Sequence, residues 1–103
     1  MRIYLSGPMT GIKDNNVPKF MKEAKRLRRK GYRVINPAEL DKVKVCRTWE
    51  ECLRRDLEFV VKCDAIATLP GWTKSRGANL EIHVGRALSM PIHSVEYYTR
   101  GRK

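Results

Sequence analysis

No apolar run in this 103-residue chain approaches the roughly 20 residues needed to cross a bilayer, so no membrane association is expected. No secretory pattern opens it either, because Met1-Arg2 runs directly into Ile3-Tyr4-Leu5, and the expected compartment is the cytoplasm. Cysteine is scarce. Cys46, Cys52 and Cys63 are odd in number and lack C-x-x-C metal spacing, which predicts free thiols. His83 and His93 are isolated, too few and too far apart for a metal site, and no cofactor is expected. The length allows one domain, residues 1–103, and is too short for two.

Acidic residues are also in short supply, with 11 Asp and Glu against 22 Lys and Arg, a net charge of +11. Much of the excess lies in Lys19 to Lys30 and in the tail Arg100 to Lys103. These cations are either solvated surface or a field that attracts nucleotides or nucleic acid; charge alone does not choose.

What is present reads as alternating strands and helices. Arg2 to Ser6 is a first strand, left by the loop Gly7-Pro8-Met9-Thr10-Gly11. That loop is either a tight turn or a cradle whose amides face an anion. Pro18 fits the first turn of a helix and Gly31 its C-terminal cap, with Phe20, Ala24 and Leu27 forming an apolar stripe and Met21 beside it. Tyr32 to Ile35 is a second strand closed by Asn36-Pro37. A strand-helix-strand order of this length implies parallel pairing.

Ala38 to Arg47 is irregular, and regularity returns at Thr48-x-x-Glu51, a capping box that opens a helix running to about Lys62. Trp49, Cys52, Leu53, Leu57, Val60 and Val61 define its apolar stripe, and Asp56 sits on the edge of that stripe. A carboxylate facing inward is either paired, with Arg55 or Arg86 for example, or belongs to a site.

The most informative stretch is Asp64 to Ala87. Ala65 to Leu69 is a short apolar run suited to a strand covered on both faces, ended by Pro70-Gly71. A loop bearing Trp72, Lys74, Ser75, Arg76 and Gly77 follows, and a helix then places Leu80, Val84 and Leu88 on one face with Glu81 near its start. In an open parallel sheet, ligands bind at the carboxyl ends of the strands, where this loop and Glu81 stand. A glutamate near a helix start should remain ionised at neutral pH. Pro91 to Val95 is a last strand, and Glu96 to Lys103 an aromatic and basic tail.

Three motifs in order carry a resemblance: Tyr4-Leu5-Ser6-Gly7-Pro8-Met9-Thr10-Gly11; Asp56-Leu57-Glu58 leading to Cys63-Asp64-Ala65; and Ser75-x-Gly77-x-x-x-Glu81 followed by Gly85-Arg86-Ala87. Over nearly the whole chain the sequence resembles the nucleoside 2-deoxyribosyltransferase-like superfamily. It is most similar there to a small phage and bacterial branch and to the nucleoside 5'-monophosphate N-glycosidases. The resemblance implies a flavodoxin-like three-layer α/β sandwich whose parallel sheet has five strands, of which four are legible here.

It also implies roles. Glu81 matches the nucleophile that attacks the anomeric carbon, Asp56 the aspartate that assists at base or sugar, and Tyr4 the tyrosine that orients the nucleophile and the sugar. Ser75 and Gly77 match positions that hold a 5'-phosphate; Ser6, Gly7, Pro8, Met9, Gly11 and Arg76 complete the implied substrate contacts. Trp72 either stacks on a base or lids the core. Where the monophosphate hydrolases carry a serine and an arginine in the first loop, this chain has Pro8 and Thr10, with Lys13, Lys74 and Arg76 as nearby cations. The substrate is then a nucleoside monophosphate or a free nucleoside, and the family implies a homodimer or higher homo-oligomer. The alternative function on this scaffold is a non-catalytic nucleotide or nucleic-acid binding module.

Overall fold

Alternation along the first strand sets the layout. The computed structural model describes residues 1–100; Gly101, Arg102 and Lys103 of the basic tail lie outside the described residues. In Arg2–Ser6 (β1), Ile3 and Leu5 pack with Phe20, Ala24 and Leu27, whereas Tyr4 packs on the opposite face with Val60, Ile66 and Ile82. A period of two thus sends alternate residues into two separate layers.

Four parallel strands form one sheet, with β1 between Arg33–Ile35 (β2) and Ala65–Thr68 (β3), and Ile92–Ser94 (β4) outside β3. Tyr4 lies opposite Ile35 on one side and Ile66 on the other. Helices Val17–Arg29 (α1) and Val95–Thr99 (α4) cover one face, and Trp49–Val60 (α2) and Arg76–Ala87 (α3) the other. This is the expected three-layer α/β architecture, consistent with a flavodoxin-like fold. The sheet has four strands among the described residues, so the fifth strand that the resemblance implied is not found there. Because the chain leaves β1 toward β2 and returns across β1 to β3, the strand order reverses between β1 and β3, where a crevice opens at their carboxyl ends.

Local chemistry explains most of the elements. α1 starts with Pro18 in its first turn, and Gly31 follows it at φ +95°, a conformation that costs glycine least. Its inward face carries Glu23 as well as the apolar stripe; that carboxylate is tolerated because Lys19 Nζ (2.8 Å) and Arg26 Nη1 (2.7 Å) neutralise it. At the start of α2, Thr48 Oγ1 accepts from the Glu51 amide at 3.0 Å, while Glu51 Oε1 accepts from Arg47 N at 2.9 Å, one residue before the expected donor.

Four expectations need correction. Cys46 and Cys52 are disulfide-bonded, and only Cys63 is free, buried, with its thiol pushed up to about 11 by burial. A six-residue separation gives no pairing signal in sequence; the bond depends on the loop before α2 folding back on the first turn of that helix. Leu80 and Leu88 do not face the sheet, being 39% and 52% exposed, whereas Val84 packs at the edge of the Tyr4, Ile66 and Ile82 cluster; the buried face of α3 is Ala78, Glu81, Ile82 and Gly85. Small residues win that face because α3 lies so close to β3 that a Cβ on Gly85 would stand 2.5 Å from Ile66 Cδ1. Val61, assigned to the α2 stripe, is also exposed. Finally, the tail is structured as far as Thr99: Val95 and Tyr98 of α4 are buried, and Tyr98 Oη donates to the Ile66 carbonyl at 3.1 Å.

Gly7 shows how tightly β1 leads into its loop, since an added Cβ would stand 2.8 Å from Leu69 Cβ, an atom fixed to its own backbone. Gly7→Ala should lower unfolding free energy by about 1–3 kcal/mol. Gly77→Ala, where a Cβ meets nothing within 4 Å, should change it by about 1 kcal/mol or less, in the stabilising direction. Urea denaturation of both variants checks the contrast.

Candidate active site

The crevice at the β1/β3 reversal is built around one carboxyl group. Glu81 lies in the second turn of α3 and is 6% exposed. Tyr4 Oη donates to its Oε2 at 2.8 Å and Ser6 Oγ to its Oε1 at 2.7 Å. Both hydroxyls come from the face of β1 that does not carry Ile3 and Leu5, so the same alternation that builds the core aims two donors at one acid.

Asp56 comes from α2 and lines the same cavity, of about 430 Å³, as Glu81. Asp56 is paired, as one of its two readings had it, and it also stands at the wall of that cavity. Arg55 Nε donates to Asp56 Oδ1 at 3.0 Å, and the same guanidinium donates from Nη1 to Asp41 Oδ1 at 2.6 Å and to the Lys44 carbonyl at 3.1 Å. Arg55, 6% exposed, therefore ties the segment after β2 to α2 and holds Asp56 at the cavity wall. That segment, Pro37–Lys42 and the loop to Arg47, read as irregular in sequence; it is the cavity's far wall, contributing Pro37, Ala38, Asp41, Cys46 and Arg47.

A second, open cleft of about 880 Å³ lies outside the first and shares Thr10, Trp49, Ser75 and Gly77 with it. Ser75 caps α3, its Oγ accepting from Ala78 N at 3.2 Å, and so stands between the two spaces. Gly7 and Met9 line the inner cavity; Pro8 and Arg76 line the outer cleft. Gly11 is an exposed turn residue at φ +84° and lines neither. Trp72 is likewise not at either cavity: it packs on the Tyr4, Ile66 and Ile82 cluster, the lid role of its two readings. Trp49 takes the position at the cavities, with the Arg76 guanidinium 4.1 Å from its ring centroid. Helical periodicity assigns Trp49 to the core stripe, but as the first residue after the Thr48 cap it lines the cavities and is absent from both core clusters. Among the described residues no cluster of His, Cys, Asp and Glu is placed to hold a metal ion.

The electrostatics differ from the sequence expectation. Burial pushes the Glu81 carboxyl up to about 8, assisted by the Asp56 charge and opposed by the Ser6 and Tyr4 hydroxyls. Glu81 is the sixth residue of α3, beyond the first turn where the dipole favours an anion, so desolvation wins and the group is protonated at neutral pH. Burial also raises the Asp56 carboxyl, against the pull of Arg55, and raises the Tyr4 hydroxyl, which additionally faces the Glu81 and Asp56 charges. Two acids in one cavity with unequal environments are the arrangement that acid–base chemistry requires.

An α/β protein with a parallel sheet and paired acids at its switch point is the class that these features define. The chain matches the family described as Domain of unknown function (DUF4406) over residues 1–94, and it belongs to that family. Comparison with curated proteins found no match.

Because the carboxyl of Glu81 in the folded chain is raised above its unfolded value, the folded state binds the extra proton between the two, and stability is fully present below about 4.5 and falls as pH rises toward about 8. Each bound proton contributes a slope of up to about 1.4 kcal/mol per pH unit. Denaturation of Glu81→Gln across that range should show the slope removed relative to the unsubstituted chain. Arg55→Met should cost roughly 3 kcal/mol by leaving Asp56 without its partner, and Asp56→Asn in the same chain should recover part of that loss in a double-mutant cycle.

Proposed function

We propose that this protein breaks or transfers the N-glycosidic bond of a nucleotide or nucleoside, with Glu81 as nucleophile. The observation that carries the reading is the grip of Tyr4 and Ser6 on both oxygens of a buried glutamate that shares a cavity with Asp56. Glycosidic cleavage develops positive charge on the sugar, and an anion beside the anomeric carbon stabilises that charge and captures it. In the proposed step, a Glu81 oxygen bonds to the anomeric carbon as the C–N bond breaks, the bond pair passes to the base nitrogen, and that nitrogen takes a proton. Asp56, at the wall of the same cavity, is the group placed to handle that proton. Water, or a second base in a transferase, then attacks the glycosyl ester and frees Glu81. Hydrolysis is favoured over transfer on the ground that a short, basic chain suits a phosphorylated substrate.

Tyr4 and Ser6 fix the orientation of a carboxyl that lines the cavity, and the apolar cluster of Val60, Ile66 and Ile82 packs around Tyr4. The outward apolar residues of α3, Leu80 and Leu88, suit a homodimer, and the reading places the protein in the cytoplasm. The protonated state of Glu81 at neutral pH favours a second reading, a nucleotide-binding module that carries out no chemistry.

A chromatographic screen of nucleosides and their 5'-monophosphates for released base separates the two. Release is expected from at least one substrate, falling about 10³-fold or more in Glu81→Gln with the fold intact. Because attack needs the ionised carboxylate, kcat/KM should rise with pH through about 8. Release that survives in Glu81→Gln removes Glu81 from the mechanism, and binding without release leaves the module.

A further inference from the structure

The outer cleft is larger than the inner cavity, about 880 against 430 Å³, and no acidic side chain lines it, whereas Lys19, Lys74 and Arg76 do. Its wall is an aromatic ring with a guanidinium over it, Trp49 and Arg76 at 4.1 Å. Such a platform takes the face of a base regardless of which base it is. The two spaces adjoin, with Thr10, Trp49, Ser75 and Gly77 lining both.

Positive charge also continues beyond the cleft. From Lys19 along the outer surface of α1 come Lys22, Lys25 and Arg29, which have no carboxylate partner among the described residues. The one acid of α1, Glu23, is buried and already neutralised. A mononucleotide offers a single phosphate and leaves this run of cations without a counterpart. A row of phosphodiesters supplies one.

We propose that the outer cleft is a subsite for a second nucleotide, so that the substrate class is the end of a single-stranded oligonucleotide. The terminal nucleotide enters the inner cavity, its neighbour stacks on the Trp49–Arg76 platform, and the linking phosphates pass Lys74 toward Lys22 on α1. A duplex does not fit this description, because its bases present no free face to the platform. The chemistry assigned to the inner cavity rests on the glycosidic reading; the occupancy of the outer cleft does not.

Binding is measured by fluorescence anisotropy on the full chain carrying Glu81→Gln, with labelled hexathymidylate and hexauridylate as probes and the corresponding monophosphates as competitors. Hexamer affinity at low salt should exceed that of the monophosphate at least 10-fold, and its logarithm should fall with the logarithm of salt concentration with a slope of about −2. Lys74→Glu and Trp49→Ala should each weaken hexamer binding about 10-fold, with Trp49→Phe restoring part of it. Lys62→Glu changes net charge equally but lies just before β3, at the opposite end of the sheet, and should have little effect. Equal affinity for hexamer and monophosphate, or an equal loss in Lys62→Glu and Lys74→Glu, would overturn the subsite. Hexamer binding without base release removes the glycosidic reading and leaves the subsite; base release from monophosphates without a hexamer preference does the reverse.

Discussion

The hydrogen bonds from Tyr4 and Ser6 to Glu81 connect β1 to α3 across the layer boundary, and the candidate site depends on them. A carboxyl group this deeply buried is costly unless both oxygens are satisfied, and only the central strand brings two donors within reach. The price is a proton retained near neutrality, because two hydroxyls do not replace the solvation that burial removes. α3 must lie close to the sheet for those bonds to form, which accounts for Ala78 and Gly85 on its inward face.

Around that link, the site divides between rigid and irregular parts. The acids and the tyrosine stand on helices and a strand, while the far wall comes from the connection after β2, held by Arg55 and by the Cys46–Cys52 bond. Arg55 serves both parts, fixing Asp56 on one side and the connection on the other. The arrangement keeps Tyr4, Asp56 and Glu81 in place through regular backbone geometry and leaves the shape of the enclosure to a segment without it.

Much of the architecture was legible in sequence, because short apolar runs, proline and glycine punctuation and a capping box are local signals. The four strands and three long helices needed nothing more. The site was legible in part: Tyr4, Asp56, Ser75 and Glu81 do gather at one crevice, and Arg55 was one of two partners offered for Asp56, yet the choice between them and the state of Glu81 depend on packing that no spacing records. Periodicity failed at α3, where it reported the apolar face and the core took the face with small residues and a carboxyl. It failed also at Trp49, which was assigned to the core stripe and lines the cavities, while for Trp72 the lid over the core, one of its two readings, is the one found. The residues before α2 were unreadable because their order comes from contacts distant in sequence.

The pleat of β1 assigns odd-numbered residues to packing against α1 and even-numbered ones to Glu81. A single inserted or deleted codon within that strand would exchange the two sets, placing Ile3 and Leu5 over the carboxyl and two hydroxyls among hydrocarbon. The core and the grip on the carboxyl would be lost together, by one event. Insertions and deletions are therefore best tolerated in the connections, and the spacing from the start of β1 to Ser6 is the least negotiable measurement in the chain.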